Sequence, residues 1–403
     1  MKNCGFGRNS ALTGAHNRGL VLDAIRSHAP ISLREVSRIT GLTPAAITNL
    51  VRRLIADGLV TETGHAESQG GRRPGLLELA ADSRYSLALD LAATVPTMAV
   101  VDVRGRIHAR RSLEMPPRGA GVVEAVADAA ADMLGSVGLG AGSISGLGIS
   151  TPGLVDQASG VVVKSVRLGW YQVPLRAMLQ PRFQWPVHIG KDTHVALLGE
   201  QWYGAGRNVQ NLIYVWIGAG IAVAILVDGR EYGGRSGKAG EFGHTLIRDD
   251  GPECACGNRG CIESLAGLDA ISRRMASLST EETGACAQTE SCRTGCPTPD
   301  PMKVLSAAEA GDPVAVRVVR EAGTSLGVGL ANLINLFDPE CIILGGQIRA
   351  EDRTYVTAAI ETARTLSLAE IEATVSIAVS RLGSDAGLLG GAALVWRESF
   401  RST

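Results

Sequence analysis

One histidine and three cysteines fall within an 18-residue span, and no other feature of the 403-residue chain restricts its conformation so strongly. They are His244, Cys254, Cys256 and Cys261, set in Glu241-Phe242-Gly243-His244 and Cys254-Ala255-Cys256-Gly257-Asn258-Arg259-Gly260-Cys261-Ile262-Glu263. One imidazole and three thiols make the Cys3His set that closes a tetrahedral structural zinc site, and the glycines permit the tight loop this requires. A closed site leaves no position for an activated water, so one zinc per chain is expected to organise structure and not to hydrolyse anything. The plain alternative is a loop of reduced cysteines.

The chain carries eight cysteines. In a reducing compartment these serve as metal ligands or free thiols more readily than as a disulfide frame. The opening Met1-Lys2-Asn3-Cys4 leads into a polar stretch without an apolar segment of the signal-peptide type. The longest uncharged apolar run, 212–227, is interrupted by Gly218-Ala219-Gly220. It falls short of the roughly 20 residues of a membrane helix and reads as two buried strands around a turn. A soluble, cytoplasmic protein with no membrane partner is expected.

A net charge of −1 seems to exclude a nucleic-acid partner, but it is a cancellation. Residues 1–75 hold ten basic and five acidic side chains, for +5, and the remaining 328 hold 29 and 35, for −6. Within the basic segment a first helix is expected over 17–28, ended by Pro30, with Val21, Ala24 and Ile25 on one face. Ser32-Leu33-Arg34-Glu35 has the capping-box spacing and starts a second helix to about Ile39, and Thr40-Gly41-Leu42 supplies a tight turn. Thr43 and Pro44 start a third, as N-cap and first helical residue. Its apolar set Ile47, Leu50, Val51, Leu54 and Ile55 follows the helical period. That leaves Ala45, Ala46, Thr48, Asn49, Arg52 and Arg53 facing outward. Next come Leu59-Val60-Thr61-Glu62, then Gly70-Gly71-Arg72-Arg73-Pro74 and a second short strand, 76–79. The pattern predicts a winged helix-turn-helix: Thr43, Ala45, Ala46, Thr48, Asn49, Arg52 and Arg53 would meet the major groove of double-stranded DNA, and Arg72 and Arg73 a phosphate or the minor groove. The competing reading is a three-helix interaction domain with a solvated basic face.

From Tyr85 onward strand-like and helix-like stretches alternate. Three consecutive strands (85–91, 97–103, 107–113) precede a helix (122–134) and further strands at 145–150 and 187–189, and a similar succession follows from 212. Three hairpin strands, then crossover units, then a repeat describe a two-lobed α/β fold with a ligand cleft better than one Rossmann sheet. The stretch 277–300, rich in Thr, Ser, Gly and Pro and containing Cys286, Cys292 and Cys296, is expected to be a surface loop. Those three cysteines lack an obvious fourth metal ligand.

The His and Cys pattern, Thr151-Pro152-Gly153, Gly169-Trp170, Val173-Pro174-Leu175, Gly204-Ala205-Gly206-Arg207 and Leu344-Gly345-Gly346 together resemble the ROK family of repressors and sugar kinases. With the winged helix in front, the chain resembles its repressor branch. The resemblance implies an α/β fold: a winged helix-turn-helix over 1–80 joined to an actin-like/RNase H-like ATPase domain over 81–403. The lobes would run about 81–192 and 193–385, with the C-terminal helix returning to the first. It also implies zinc on His244, Cys254, Cys256 and Cys261, and an effector site for a sugar or sugar derivative at Asp192, Glu241, His244, Glu263 and the Gly153 turn. A homodimer or homotetramer on a pseudo-palindromic operator follows from two-fold symmetry.

Family kinases carry Asp-x-Gly-Gly-Thr in the first hairpin, where this chain has Asp90-Leu91-Ala92-Ala93-Thr94. Their second loop, Gly-Thr-Gly-Ile-Gly-Ala-Gly, reads here Gly218-Ala219-Gly220-Ile221-Ala222-Val223-Ala224. A Cβ blocks close backbone approach to phosphate, so ATP affinity should be largely lost, leaving Asp192 as a vestigial base position. No catalytic residue is therefore expected; the alternative is a sugar kinase with a DNA-binding extension. Lys191 and Arg167 stand where the family usually has asparagines. Either these cations favour a phosphorylated or acidic sugar, or they pair with Asp192 and nearby carboxylates.

Overall fold

The computed structural model describes residues 10–65, 75–116, 120–235, 237–283 and 298–401. The chain divides into two compact units, Met1–Tyr203 with Asp385–Thr403, and Gly204–Ser384. Arg72, Arg73, Cys286, Cys292 and Cys296 lie outside the described residues.

In the first unit the local signals act as expected. Helix Leu33–Thr40 starts at a complete capping box: the Ser32 N–H donates to the Glu35 carboxylate at 2.9 Å and the Glu35 N–H to the Ser32 hydroxyl at 3.4 Å. The Ser32 N–H and hydroxyl stabilise the charged carboxylate and hold the Glu35 pKa below its ordinary value. The helix ends on Gly41 at φ 70°, a left-handed residue that glycine adopts without a Cβ penalty. Helix Pro44–Ala56 is capped by Thr43, whose hydroxyl accepts from the Ala46 N–H at 3.4 Å. Strands Val60–His65 and Gly75–Leu79 pair antiparallel as a hairpin, and Ile31–Ser32 adds a third strand beside Gly75–Leu79.

The rest of this unit is a five-stranded sheet in the order Val187–Lys191, Ile144–Thr151, Tyr85–Asp90, Thr97–Asp102, Ile107–Ser112. The first three strands are parallel and the last two continue as an antiparallel meander. Side chains alternate between faces, so Leu87, Leu89, Leu147 and Ile149 join a core with Val122, Val126 and Ala130 of helix Ala120–Ser136. The opposite face at Gly146 and Gly148 receives helix Ala386–Arg401. A Cβ at Gly148 would collide with the Gly391 carbonyl, so glycine is what permits this helix to lie directly on the sheet.

The second unit repeats the plan. Its sheet runs Arg230–Glu231, Ile221–Val227, Leu212–Ile217, Cys341–Gly346, Ser376–Val379. Counting strands within each sheet, both have the order 3-2-1-4-5, with strands 4 and 5 parallel to strand 1. The run 212–227 is indeed two strands around Gly218-Ala219-Gly220. Helix Pro313–Phe337, capped by Asp312 on the Ala315 N–H at 2.8 Å, and helix Arg353–Leu366 pack on this sheet.

Three expectations change. Ile55 is 39% exposed and lies outside the core that Ile47, Val51 and Leu54 share. Helix Leu268–Thr283 extends through the start of the segment expected to be a loop. The third difference is larger: the winged helix does not close its own core. Val21, Leu22, Ile25, Ile47 and Leu54 share one cluster with Leu198 and Trp202 of helix Asp192–Tyr203 and with Trp396 and Phe400 of the C-terminal helix. Arg26 lies 4.6 Å above the Trp202 ring, a cation–π contact that reinforces the junction.

Candidate metal centre and nucleic-acid interface

On helix Pro44–Ala56, Thr43, Ala45, Thr48, Asn49, Arg52 and Arg53 are exposed and Ala46 is half-buried. The Thr48 hydroxyl donates to the Pro44 carbonyl at 2.8 Å, and Arg52 reaches Asn49 Oδ1 at 3.5 Å. Neither Arg52 nor Arg53 has an ion-pair partner among the described residues, so both cations face solvent ready to meet an anion. Small and polar side chains with unpaired guanidinium groups are the surface a groove-reading helix presents.

The metal-ligand cluster forms within the second unit. One ligand atom from each of His244, Cys254, Cys256 and Cys261 lies within 4.8 Å of the other three. The Cys254 Sγ to His244 Nδ1 separation is 3.6 Å and Cys256 Sγ to Cys261 Sγ is 3.7 Å. Bond lengths of about 2.3 Å for Zn–S and about 2.0 Å for Zn–N give tetrahedral edges of roughly 3.5–3.8 Å, which these two separations match, with all four ligand atoms within 4.8 Å of one another. Local backbone bonds build the cluster: Cys254 N–H donates to Asn258 O at 2.8 Å, Gly257 N–H to Cys254 O at 3.0 Å, and Ile262 N–H to Thr245 O at 3.0 Å. Gly257 and Gly260 hold φ of 95° and 68°. Burial and the neighbouring thiols push the Cys261 thiol up to about 12, while the Asn258 backbone N–H holds Cys256 below its ordinary value. Three thiolates cannot share so small a volume without a cation. The donor set and its spacing therefore fit a metal ion.

The other positions singled out in the sequence divide between the units. Asp192 opens helix Asp192–Tyr203, and its Oδ1 accepts from the Thr193 N–H at 2.7 Å. Burial raises its pKa to about 6, opposed by that bond and by the charge of Lys191, the last residue of the preceding strand. Gly153 turns the chain at φ 102°, where a Cβ would strike the Lys164 carbonyl. Arg167 pairs with backbone, not with Asp192: its guanidinium donates to the Ala92 and Ala93 carbonyls, and its charge acts on Asp90. In the second unit Glu241 is exposed ahead of the short turn Phe242–His244. Glu263, in the first turn of Ile262–Ala266, accepts from the Ile221 N–H at 3.0 Å.

Sequence reading missed Asp90 as a buried acid. Burial holds its carboxyl above the ordinary range, and Oδ1 accepts from the Ala92 N–H at 2.8 Å. The signal available was the aspartate at the end of an apolar strand. Asp192 makes a testable statement about pH. A carboxyl whose native pKa is raised binds its proton more tightly folded than unfolded, so stability falls as pH rises from about 4 to about 6 and stays lowered above. Asp192→Asn is expected to stabilise the protein by up to about 3 kcal/mol at pH 7.5, the equivalent of roughly two pKa units, and by nothing below pH 3.5. Urea unfolding at the two pH values measures both limits, and an equal effect at both would refute the raised pKa.

The model of the ROK family matches residues 86–398, more than half of the chain. The chain belongs to the ROK family. Residues 12–73 also match the MarR family model, a span that takes in helices Leu33–Thr40 and Pro44–Ala56 and the first strand of the hairpin, Val60–His65. The xylose repressor of Caldicellulosiruptor bescii is 29% identical over 392 residues, covering 96% of this chain and 97% of that protein. Among solved structures, a ROK family transcriptional regulator described as a homolog of the E. coli MLC protein aligns with a TM-score of 0.79 at 27% identity, covering 97% of both chains. A ROK glucokinase from Streptomyces griseus, solved with glucose and AMPPNP, aligns with a TM-score of 0.65 at 30% identity, covering 77% of this chain and 98% of that one. The repressor and the regulator thus match nearly the whole chain, and the glucokinase about three quarters of it. Among the described residues no helix is long and apolar enough to cross a membrane.

Proposed function

We propose that this ROK protein is a DNA-binding transcriptional repressor of carbohydrate genes, and that its ROK part senses a sugar or sugar derivative. The observation that carries the reading is the exposed, unpaired face of helix Pro44–Ala56 in a chain similar over 96% of its length to a xylose repressor. The helix would enter the major groove through Thr43, Ala45, Ala46, Thr48, Asn49, Arg52 and Arg53, with Arg72 and Arg73 at the wing. A homodimer or homotetramer would read a pseudo-palindromic operator. Zinc held by His244, Cys254, Cys256 and Cys261 supplies structural crosslinking. The chain's own residues do the rest: the cage fixes the loop between Glu241 and Glu263, the two carboxylates that with His244 would take the effector. A carboxylate set of this kind accepts hydrogen bonds from neighbouring sugar hydroxyls.

Phosphoryl transfer requires backbone N–H groups turned toward ATP phosphates. Here one such donor of each loop is already engaged, since Asp90 takes the Ala92 N–H and Glu263 the Ile221 N–H. These internal bonds support a protein that is not an enzyme. Coupled-assay ATP consumption with a panel of hexoses and pentoses should stay at background, while the same preparation binds DNA from upstream of its own gene at 100 mM salt. Sugar-dependent turnover at about 1 s⁻¹ or faster would replace the repressor reading with the kinase one.

A further inference from the structure

We propose a second small-molecule site, a groove within the Gly204–Ser384 unit that takes a small anion carrying two or more phosphate groups. A cavity of about 880 Å³ opens there, within the size range of small-molecule sites. Helix Leu268–Thr283 contributes Arg273 and Arg274 to its wall, helix Pro313–Phe337 contributes Arg317 and Arg320, and the loop between His244 and Cys254 contributes Arg248. Glu241, His244 and Glu263 are not among the residues that line it, so it is distinct from the effector carboxylates.

The two helices build the groove by their residue spacing. Ile271 and Leu278 of the first share the core of the unit with Val318, Val319 and Ala322 of the second. Outside that seam Ala270, Arg273, Arg274 and Ser277 recur at helical spacing, as do Arg317, Arg320, Glu321 and Thr324, so each helix presents one continuous face to the groove. Arg274 reaches Glu321 at 3.5 Å, which sets the two faces opposite each other.

The charge of this wall selects the ligand. Gly204–Ser384 holds 16 basic and 22 acidic side chains, for −6, yet the wall holds five arginines against a single carboxylate, Glu321. Cations gathered against the sign of the whole unit repel one another and raise the local concentration of anions. Arg274 is engaged by Glu321, and Arg248 approaches Asp250 at 3.8 Å. Arg273, Arg317 and Arg320 have no ion pair among the described residues, and all three are exposed, so a ligand in the groove can reach them. A guanidinium matches a phosphate through two parallel N–H bonds. Three unpaired guanidinium groups on facing helices exceed what one phosphate can satisfy, so a ligand with two or more is held better than a single ion.

Arg248 gives the site a consequence. Its carbonyl accepts from the Gly251 N–H at 3.3 Å and its N–H donates to the Gly260 carbonyl at 3.4 Å, inside the loop that carries the metal-ligand cluster. An anion shared between Arg248 and the two helices braces that loop against the body of the unit. Neither the binding nor the bracing depends on the repressor reading.

The test uses the full-length protein and three probes at constant ionic strength: pyrophosphate, fructose 1,6-bisphosphate and inorganic phosphate. Calorimetry should show one saturable site per chain for the first two, each bound about tenfold or more tighter than inorganic phosphate. The tighter of the two identifies the source of the ligand, an inorganic phosphate chain or a phosphorylated metabolite. Arg317→Ala with Arg320→Ala, and separately Arg273→Glu, should each weaken pyrophosphate binding about tenfold, with circular dichroism unchanged because these side chains are exposed. Arg230→Ala, an exposed arginine of the same unit outside the groove, should leave it unmoved. Bound pyrophosphate should also slow amide exchange in 246–252, the segment around Arg248. Pyrophosphate bound no more tightly than inorganic phosphate, full binding by both groove variants, or an equal loss in Arg230→Ala overturns the site. Binding that meets every other criterion with exchange in 246–252 unchanged overturns the bracing alone.

Discussion

Cys261→Ser is expected to lower zinc from about one atom per chain to below about 0.1, measured by plasma emission after dialysis, and to remove most of the response to any effector. Cys261 is completely buried, its sulfur lies 3.7 Å from Cys256 Sγ, and it immediately precedes the helix that carries Glu263. A serine hydroxyl at this position is not a thiolate, and a three-ligand cage loses much of the free energy that zinc contributes, about 10–16 kcal/mol in small zinc-dependent peptides. The loop that connects Glu241 to Glu263 is otherwise held by backbone bonds such as Ile247 N–H to Gly260 O and Gly260 N–H to Pro252 O and by the bridges Leu246–Cys261 and Glu253–Arg259, and Cys261 takes part in one of these as well as in the cage. A loss of about 3–5 kcal/mol would lower the melting temperature by roughly 10 °C in a chain with units of this size. Cys341→Ala, which alters a strand residue outside the cage, should keep its zinc. Retention of a full complement of zinc by Cys261→Ser would refute the four-ligand assignment.

The second large effect is on DNA. Arg52→Ala with Arg53→Ala should lower operator affinity at least tenfold at 100 mM salt and reduce the slope of log affinity against log salt by about 2, close to one unit for each phosphate that no longer meets an arginine. Asn49→Ala, which removes a side chain suited to an adenine edge, should instead cost about 1–3 kcal/mol on the operator and almost nothing on unrelated DNA. The contrast separates phosphate contacts from base reading. All three side chains are exposed, so the variants should fold normally. An unchanged salt slope in the double arginine variant would show that another surface meets the phosphates.

How much of this was legible in the chain depends on distance along it. The capping box at Ser32 and Glu35, the Thr43-Pro44 helix start and the Gly41 turn all form as read, because each is decided by atoms within four residues. The meeting of His244, Cys254, Cys256 and Cys261 was readable for the same reason: the four fall within one short loop, and the glycines at 257 and 260 adopt the positive φ that the loop requires. Ile55 misled because helical period alone does not say how wide the buried stripe is, and only the neighbouring elements set that width. Arg167 could not be assigned a partner from sequence, since the Ala92 and Ala93 carbonyls that accept from it are about 75 positions away.

Sequence alone therefore determined the winged helix, the clustering of His244, Cys254, Cys256 and Cys261, and the alternation of strands and helices that becomes two sheets of like topology. Tertiary structure decided that the winged helix shares its core with Trp202, Trp396 and Phe400, and that Asp90 and Glu263 accept from the Ala92 and Ile221 N–H groups. Caps, turns and ligand spacings are fixed by short-range sterics and hydrogen bonds, which a local sequence encodes directly. Shared cores and the partners of buried polar groups depend on which distant segments the whole chain brings together, and no local pattern carries that information.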